Sequence, residues 1–345
     1  MRIAIVGAGS IGCYVGGHLA CEAEVTLIGR PRVIDAIRRD GLTVTDLAGA
    51  SRHVAPDAVR LETEMSAVAG HELVLVTTKA IVNDDIAALI GPYLTPESVV
   101  LSLQNGVRNV SMLEEGLERS FPSRASRPLV LSGVVHHNVV ADDPARYRAT
   151  TSGGITVKDH PRIDPFVRLA RGAGLTVDVQ ADMRGVLIGK LLLNLNNAIN
   201  ALSGLPLREQ LRDRDYRRVL AASQEEALAV SRAAGVTPAR RGPLPAALVP
   251  HVLRCPTAVF VALARTTLRV SPQARSSMAD DLDRRRRTEI DELQGVVVVL
   301  GERYGIETPV SERLVELVVD AEEQALAGTP PPTYTGPQLR EAIGL

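Results

Sequence analysis

The opening stretch constrains this chain more than any other. Arg-Ile-Ala-Ile-Val at 2–6 is a short apolar run. Gly7-Ala8-Gly9-Ser10-Ile11-Gly12 follows at once, and a helical pattern then runs through Leu19. A G-x-G-x-x-G that directly follows a strand and opens a helix marks a dinucleotide-binding turn. Its glycines let the backbone turn sharply and come close to a pyrophosphate, which sits at the positive end of the helix. A second strand at 24–28 ends in Gly29-Arg30, with no acid at that point. An Asp or Glu there would hold the ribose 2′-hydroxyl of NAD, whereas the guanidinium of Arg30 suits the 2′-phosphate of NADP by bidentate pairing. Arg32 reads as a solvated helix start.

Strands and helices alternate from there. Residues 33–39 read as a helix, and 42–46 and 52–54 as a short strand pair around Gly49. A buried strand at 73–77 ends in Thr77-Thr78-Lys79, which puts Lys79 at the carboxyl end of a parallel strand, where such sheets bind ligands. Residues 81–92 read as a helix and 98–103 as a strand. Gln104-Asn105-Gly106 follows, so Asn105 is placed for a nicotinamide ribose or a substrate oxygen, or simply for a turn. A helix at 107–117 and a strand at 129–135 come next. The segments 147–149 and 155–158 look like a hairpin about Gly153-Gly154, and a helix at 161–173 leads to a last strand at 175–179. Strand signals stop near residue 180. Helices are expected at 183–202, 208–234, 243–268, 276–302 and 309–327. The alternation implies a doubly wound, mostly parallel sheet over 1–180, with an all-helical domain over 181–345.

In that second half, Gly189-Lys190-Leu-Leu-Leu-Asn194 reads as a buried helix with one polar stripe. At about 100° per residue, Asn194 and Asn197 fall within roughly 40° of Lys190. A lysine and two amides on an otherwise apolar helix need partners, which suits a cleft lining better than a core. Only Lys79, Lys158 and Lys190 are lysine among 39 basic residues; the rest are arginine. A retained lysine is then one that arginine cannot replace, since an ammonium can shift its pKa while a guanidinium stays charged. Ser277 and Glu289 are twelve apart and would line one side of a single helix; by themselves they read as an ordinary charged helix.

Other classes are disfavoured. A net charge of −1 gives no electrostatic reason to expect nucleic acid or a membrane surface. The Arg284–Arg287 run is flanked by Asp280, Asp281, Asp283 and Glu289 and reads as a solvated face. Three scattered cysteines make neither a disulfide framework nor a zinc site, and His136 and His137, adjacent on a strand, would point to opposite faces, so no metal is assigned. No apolar run reaches the length of a membrane span, and a cytoplasmic protein is expected. Val296–Leu300 could serve the core or a homodimer interface.

Taken together, GAGSIG at 7–12, TTKA at 77–80, SLQNGV at 102–107, KLLLN at 190–194, ARSSM at 274–278, TEID at 288–291 and TPVSERL at 308–314 resemble the ketopantoate reductase family over essentially the whole chain. The resemblance implies a Rossmann-type domain at 1–180 that binds NADPH, and an all-α catalytic domain at 181–345. It implies NADPH-dependent reduction of a 2-oxo acid, foremost 2-dehydropantoate to (R)-pantoate. It gives cofactor contacts to Gly7, Ala8, Gly9, Ser10, Ile11, Gly12, Arg30, Lys79, Asn105 and Glu289, and the general acid's role to Lys190. Asn105, Asn194 and Ser277 resemble substrate-binding positions, and Glu289 an acid that contacts cofactor and substrate. The family often has an aromatic residue where Ile188 stands and a second asparagine where Ala198 stands, with Asn197 as its substitute. Segment 236–275 is longer than in compact members. The alternatives are a paralogous reductase of another 2-oxo acid, a β-hydroxyacid or opine-type dehydrogenase, or a sensor that binds NADP without turnover.

Overall fold

The computed structural model describes residues 1–240, 242, 244–264 and 273–345, and these fall into two compact units, Met1–Met183 and Arg184–Leu345. The first unit is an α/β layer structure. Its strands are β1 (Arg2–Val6), β2 (Glu24–Ile28), β3 (Leu42–Thr45), β4 (Ser51–Val54), β5 (Arg60–Glu62), β6 (Leu73–Val76), β7 (Val99–Ser102), β8 (Leu129–Val135), β9 (Val139–Asp143), β10 (Arg146–Ala149), β11 (Ile155–Lys158) and β12 (Val177–Gln180).

Eight of them form one sheet in the order β12-β11-β8-β7-β6-β1-β2-β5. All neighbours run parallel except β8 and β11. β1, β6 and β7 are buried along almost their whole length, as a sheet covered on both faces requires. Ile3, Ile5, Leu27, Leu73 and Leu75 pack on one face, and Ala4, Val6, Val74, Val76 and Val100 on the other. Going outward from β1, the chain winds through β2 on one side and β6, β7 and β8 on the other. Strand order therefore reverses between β1 and β6, and ligands of such sheets bind outside the carboxyl ends at that point.

Several expectations change here. The inserted strand pair is real, β3 antiparallel to β4. It belongs, however, to a second sheet of order β4-β3-β10-β9 that packs on the helix Ser10–Leu19. The segments 147–149 and 155–158 are not a hairpin: β10 pairs with β9 and β3, whereas β11 pairs with β8 and β12. Gly153 explains the exit, because at φ +151 its backbone runs hard against His136 and His137, where a Cβ would come within 2.8 Å of the main chain.

The second unit is helical. Its main helices are Met183–Asn194, Asn196–Ser203, Arg214–Ala233, Ser277–Asp283, Gln294–Tyr304 and Pro309–Leu326, and Gly336–Ala342 packs on Arg214–Ala233. The expected 208–234 helix is split into a single turn, Leu207–Gln210, and Arg214–Ala233, which Asp213 caps by accepting from the Asp215 N–H at 2.7 Å. The expected 243–268 helix is broken at Cys255-Pro256 into Val249–Arg254 and Thr257–Leu263, and residues 243 and 265–268 lie outside the described residues. Arg217, fully buried, holds these pieces down. Its guanidinium donates to the carbonyls of Leu211, Arg212, Leu253 and Cys255 and stacks over the Phe260 ring at 4.4 Å.

The expected 276–302 helix also breaks. It ends at Asp283; Arg285 takes φ 52, a left-handed conformation, and the Thr288 N–H is claimed by Glu322 Oε2 at 2.6 Å. Ser277 and Glu289 are therefore not on one helix. The Arg284–Arg287 run is an exposed turn, tied through Arg287 to Glu322 at 3.5 Å.

Candidate functional site

In the α/β unit the glycine turn sits at the β1–β6 reversal. Gly7 has φ +111, and a Cβ there would lie 2.7 Å from the Thr78 nitrogen. A Cβ on Gly12 would lie 2.1 Å from the Gly7 carbonyl oxygen. At Gly9 a Cβ would meet nothing within 4 Å, and Gly9 caps a helix, Ser10–Leu19, that has no side-chain cap. The turn is thus closed by contact at Gly7 and Gly12 and open at Gly9, the arrangement that lets a pyrophosphate approach a helix N-terminus. These residues fit a dinucleotide. Gly7 and Ala8 also donate their N–H groups to the Ile28 carbonyl at 2.9 and 3.0 Å. That pins the turn to the end of β2, two residues before Arg30, which is exposed at the N-terminus of the helix Pro31–Asp40.

On the other side of the turn, Thr77 Oγ1 donates to the Gly7 carbonyl at 2.8 Å. Lys79, half-buried, follows within two residues. The Thr78 carbonyl accepts from Gln104 Nε2 at 3.0 Å, which brings the loop after β7, and with it the half-buried Asn105, beside the loop after β6. Gly7, Ala8, Gly9, Ser10, Ile11, Gly12, Arg30, Lys79 and Asn105 therefore gather along the carboxyl edge of one sheet.

In the helical unit Lys190 and Asn194 lie four residues apart on Met183–Asn194, both half-buried. Leu191, Leu192 and Leu195 are buried, but Leu193 is 53% exposed, so the helix is not apolar all round. The helical path is interrupted at Leu195, and Asn197 belongs to the next helix, Asn196–Ser203. Leu195 keeps helical dihedrals, and its N–H still bonds the Leu191 carbonyl at 2.9 Å. Two buried glutamines grip the main chain at this point: Gln224 Nε2 donates to the Leu192 carbonyl at 2.9 Å, and Gln294 Nε2 to the Leu195 carbonyl at 2.7 Å. Asn196 and Gln210 pair their amides reciprocally at 3.2 and 3.1 Å. The buried amides of this unit are thus Asn196, Asn200, Gln210, Gln224 and Gln294, none of them among the residues expected at the site. Their signal was present, since Asn196 and Asn200 also recur at helical spacing.

The two serines divide their tasks. Ser276 is buried: it caps Ser277–Asp283 through the Ala279 N–H at 3.2 Å, takes Asn200 Oδ1 on its own N–H at 2.8 Å, and donates its hydroxyl to the Asn197 carbonyl at 3.2 Å. Ser277, the next residue, is exposed at the start of that helix. Glu289 is half-buried and precedes the short turn Ile290–Glu292. In this unit Lys190 and Asn194 share a helix gripped at Leu192 and Leu195, and Asn197 is tied through its carbonyl to Ser276, the residue before Ser277. Glu289 lies five residues before Gln294, which grips the Leu195 carbonyl.

Comparisons with known proteins follow the same division. The family model described as Ketopantoate reductase PanE/ApbA matches residues 3–162, and the one described as Ketopantoate reductase PanE/ApbA C terminal matches 182–322. A 2-dehydropantoate 2-reductase of Mycobacterium tuberculosis is 30% identical over 330 residues, covering 93% of this chain and 98% of that protein. One of Halobacterium salinarum is 28% identical, covering 92% and 98%. The crystal structure of a PanE/ApbA family ketopantoate reductase from Ralstonia eutropha superposes with a TM-score of 0.80 at 32% identity, covering 94% of this chain and 99% of that one. Among the described residues no helix is long and apolar enough to cross a membrane, and no three His, Cys, Asp or Glu side chains gather as a metal site. An α/β unit with an open glycine turn, a helical unit that presents a lysine on an amide-clamped helix, and matches along both halves lead to one conclusion: the chain belongs to the ketopantoate reductase family, oxidoreductases that act on a CH–OH group with a nicotinamide cofactor.

Proposed function

We propose that this protein uses NADPH to reduce 2-dehydropantoate to (R)-pantoate, with residues 1–180 as the cofactor domain and 181–345 as the substrate and catalytic domain. The observation that carries this reading is Lys190: one of only three lysines, half-buried on a helix whose backbone is held by buried glutamines, in the segment matched by the family's C-terminal model.

Gly7, Ala8, Gly9, Ser10, Ile11 and Gly12 would take the pyrophosphate, Arg30 the 2′-phosphate, and Lys79 and Asn105 the ribose and phosphate groups nearer the reacting end. The cofactor, when bound, supplies a hydride to the ketone carbon. As negative charge grows on the ketone oxygen, the Lys190 ammonium stabilises it and delivers a proton, combining electrostatic stabilisation with general acid catalysis. An arginine there would keep the charge but could not give up the proton. Asn105, Asn194, Asn197 and Ser277 would orient the carboxylate and hydroxyl of the substrate. Glu289 would accept a substrate hydroxyl and contact the cofactor.

A second reading, another 2-oxo acid as the physiological substrate, is favoured by Ile188 and Ala198, which stand where the family often has an aromatic residue and an asparagine. One experiment separates the two: NADPH oxidation followed over a panel of 2-oxo acids, with NADH as the competing cofactor. 2-Dehydropantoate should give the highest kcat/KM, and NADPH should outperform NADH by tenfold or more, about the worth of one charge-assisted pair at Arg30. A better acid elsewhere in the panel selects the second reading. NADPH binding with no turnover on any acid overturns both.

A further inference from the structure

The loops after β6 and β7 are joined by a chain of side-chain amides that runs in one direction. Ser102 Oγ donates to Gln104 Oε1 at 2.8 Å, and Gln104 Nε2 donates to Asn83 Oδ1 at 2.6 Å and to the Thr78 carbonyl at 3.0 Å. Asn83 Nδ2 donates to Asn109 Oδ1 at 2.9 Å, and Asn109 Nδ2 to the main-chain carbonyls of Asn105 and Gly106 at 2.8 and 3.2 Å. Ser102, Asn83, Gln104 and Asn109 are 0–5% exposed. Asn83 and Asn109 are the first residues of the packed helices Asn83–Ile90 and Asn109–Leu117.

Burying three carboxamides in apolar surroundings costs free energy that leucine or methionine at the same places would not. What the amides add is direction: each accepts from one neighbour and donates to the next, so the chain polarises cooperatively and has one geometry. Its two ends are the Thr78 carbonyl, one residue before Lys79, and the carbonyl of Asn105 itself.

We propose that Asn83, Gln104 and Asn109 are positioning residues that lock the loop of Lys79 to the loop of Asn105 and so fix where both meet NADPH. The proposal rests on the reading of Lys79 and Asn105 as cofactor contacts.

The test is a fluorescence titration of the full-length protein with NADPH, a binding measurement that needs no turnover. Gln104→Glu removes the donor to Thr78 and Asn83, Asn109→Asp removes the donor to Asn105, and Asn83→Ser is the substitute if either fails to fold. Each is compared with Asn105→Ala and with the corresponding double variant. Each single variant is expected to weaken NADPH binding about tenfold at pH 8; in the Asn105→Ala background Asn109→Asp should add nothing further, and Gln104→Glu should add less than its full loss, because only the Lys79 loop remains to be displaced. Burial raises the pKa of a carboxyl, so the carboxylate introduced by Asn109→Asp should regain a proton as the pH falls toward 6 and donate it to the Asn105 carbonyl. Affinity in Asn109→Asp should then recover, while Asn109→Ala should not. A lowered melting temperature without that recovery, losses that add in full to Asn105→Ala, or affinity unchanged in the folded variants would each overturn the positioning role. Unchanged NADPH affinity in Asn105→Ala would instead overturn the assignment of Asn105, and the positioning role with it.

Discussion

Thr77 Oγ1 donates to the carbonyl of Gly7 at 2.8 Å, across the point where the order of the parallel strands reverses. One hydroxyl thereby fixes the turn between β1 and its helix against the loop after β6, which carries Lys79. Behind it Gly12 is packed so closely that a methyl group would lie 2.6 Å from the same hydroxyl, while Gly9 faces open space.

That asymmetry separates folding from binding. Gly12→Ala should unfold or shift the turn and lower the melting temperature. Gly9→Ala should leave the melting temperature within about a degree, yet weaken NADPH binding by tenfold or more, because its methyl occupies the approach of the pyrophosphate. Thermal melts and NADPH titration of the two variants check both halves.

Lys190→Ala should lower kcat by about 10²-fold or more while NADPH affinity persists, the usual scale of a lost general acid. Lys190→Arg should recover little, since charge without a transferable proton restores only the electrostatic part. Steady-state kinetics with 2-dehydropantoate, beside cofactor titration, read this directly. Near-wild-type kcat in Lys190→Ala would remove the lysine from the mechanism.

His71 should make stability depend on pH. It is buried, with Nε2 2.9 Å from Thr26 Oγ1 and Nδ1 3.1 Å from the Val68 carbonyl, a neutral imidazole between two partners. Burial, chiefly, holds its pKa below the ordinary histidine value. The unfolded chain then takes up a proton near pH 6.5 while the folded chain resists it. Stability from this group is complete above that pH and is lost as the pH falls toward the lowered value. The melting temperature should drop between pH 7.5 and 5.5, and the drop should be smaller in His71→Gln.

Glu226 caps the long helix Pro309–Leu326 from outside, accepting from the N–H groups of Val310 and Ser311 at 2.7 and 2.8 Å and from Ser311 Oγ at 2.6 Å. This gives the TPVSERL stretch at 308–314 a physical reason: its first turn is built to be gripped by an acid from another helix. Glu226→Ala would strand those donors at a cost of about 1–3 kcal/mol. The melting temperature should fall by several degrees and kcat of the folded fraction should hold; a melting temperature unchanged from wild type would contradict the cap.

Much of the fold was legible because its signals were local. A glycine turn directly after an apolar strand, alternation up to residue 180 and helical periodicity beyond it identify an α/β unit followed by a helical one. β5 was missed because Arg-Leu-Glu carries no apolar run; it is a strand only because β2 offers it a free edge. β10 and β11 were misread as a hairpin because sequence adjacency hides that each pairs elsewhere. The break after Asp283 was invisible because it depends on Glu322, thirty-four residues beyond Thr288. Side chains with an unusual chemical type for their context, such as Lys190 or Arg30, stood out singly. The amides Asn83, Gln104, Asn109, Gln224 and Gln294 did not, since a lone Asn or Gln is compatible with any surface and gains meaning only from its partners.

The glutamine grips at Leu192 and Leu195 have a bearing on how such a protein changes. They hold peptide carbonyls and are indifferent to which side chains project from those turns. Asn194 and Asn197, both half-buried, can therefore exchange volume and polarity while the backbone beneath Lys190 stays where it is. Under the proposed function, substrate preference can then drift at these two positions without moving the lysine.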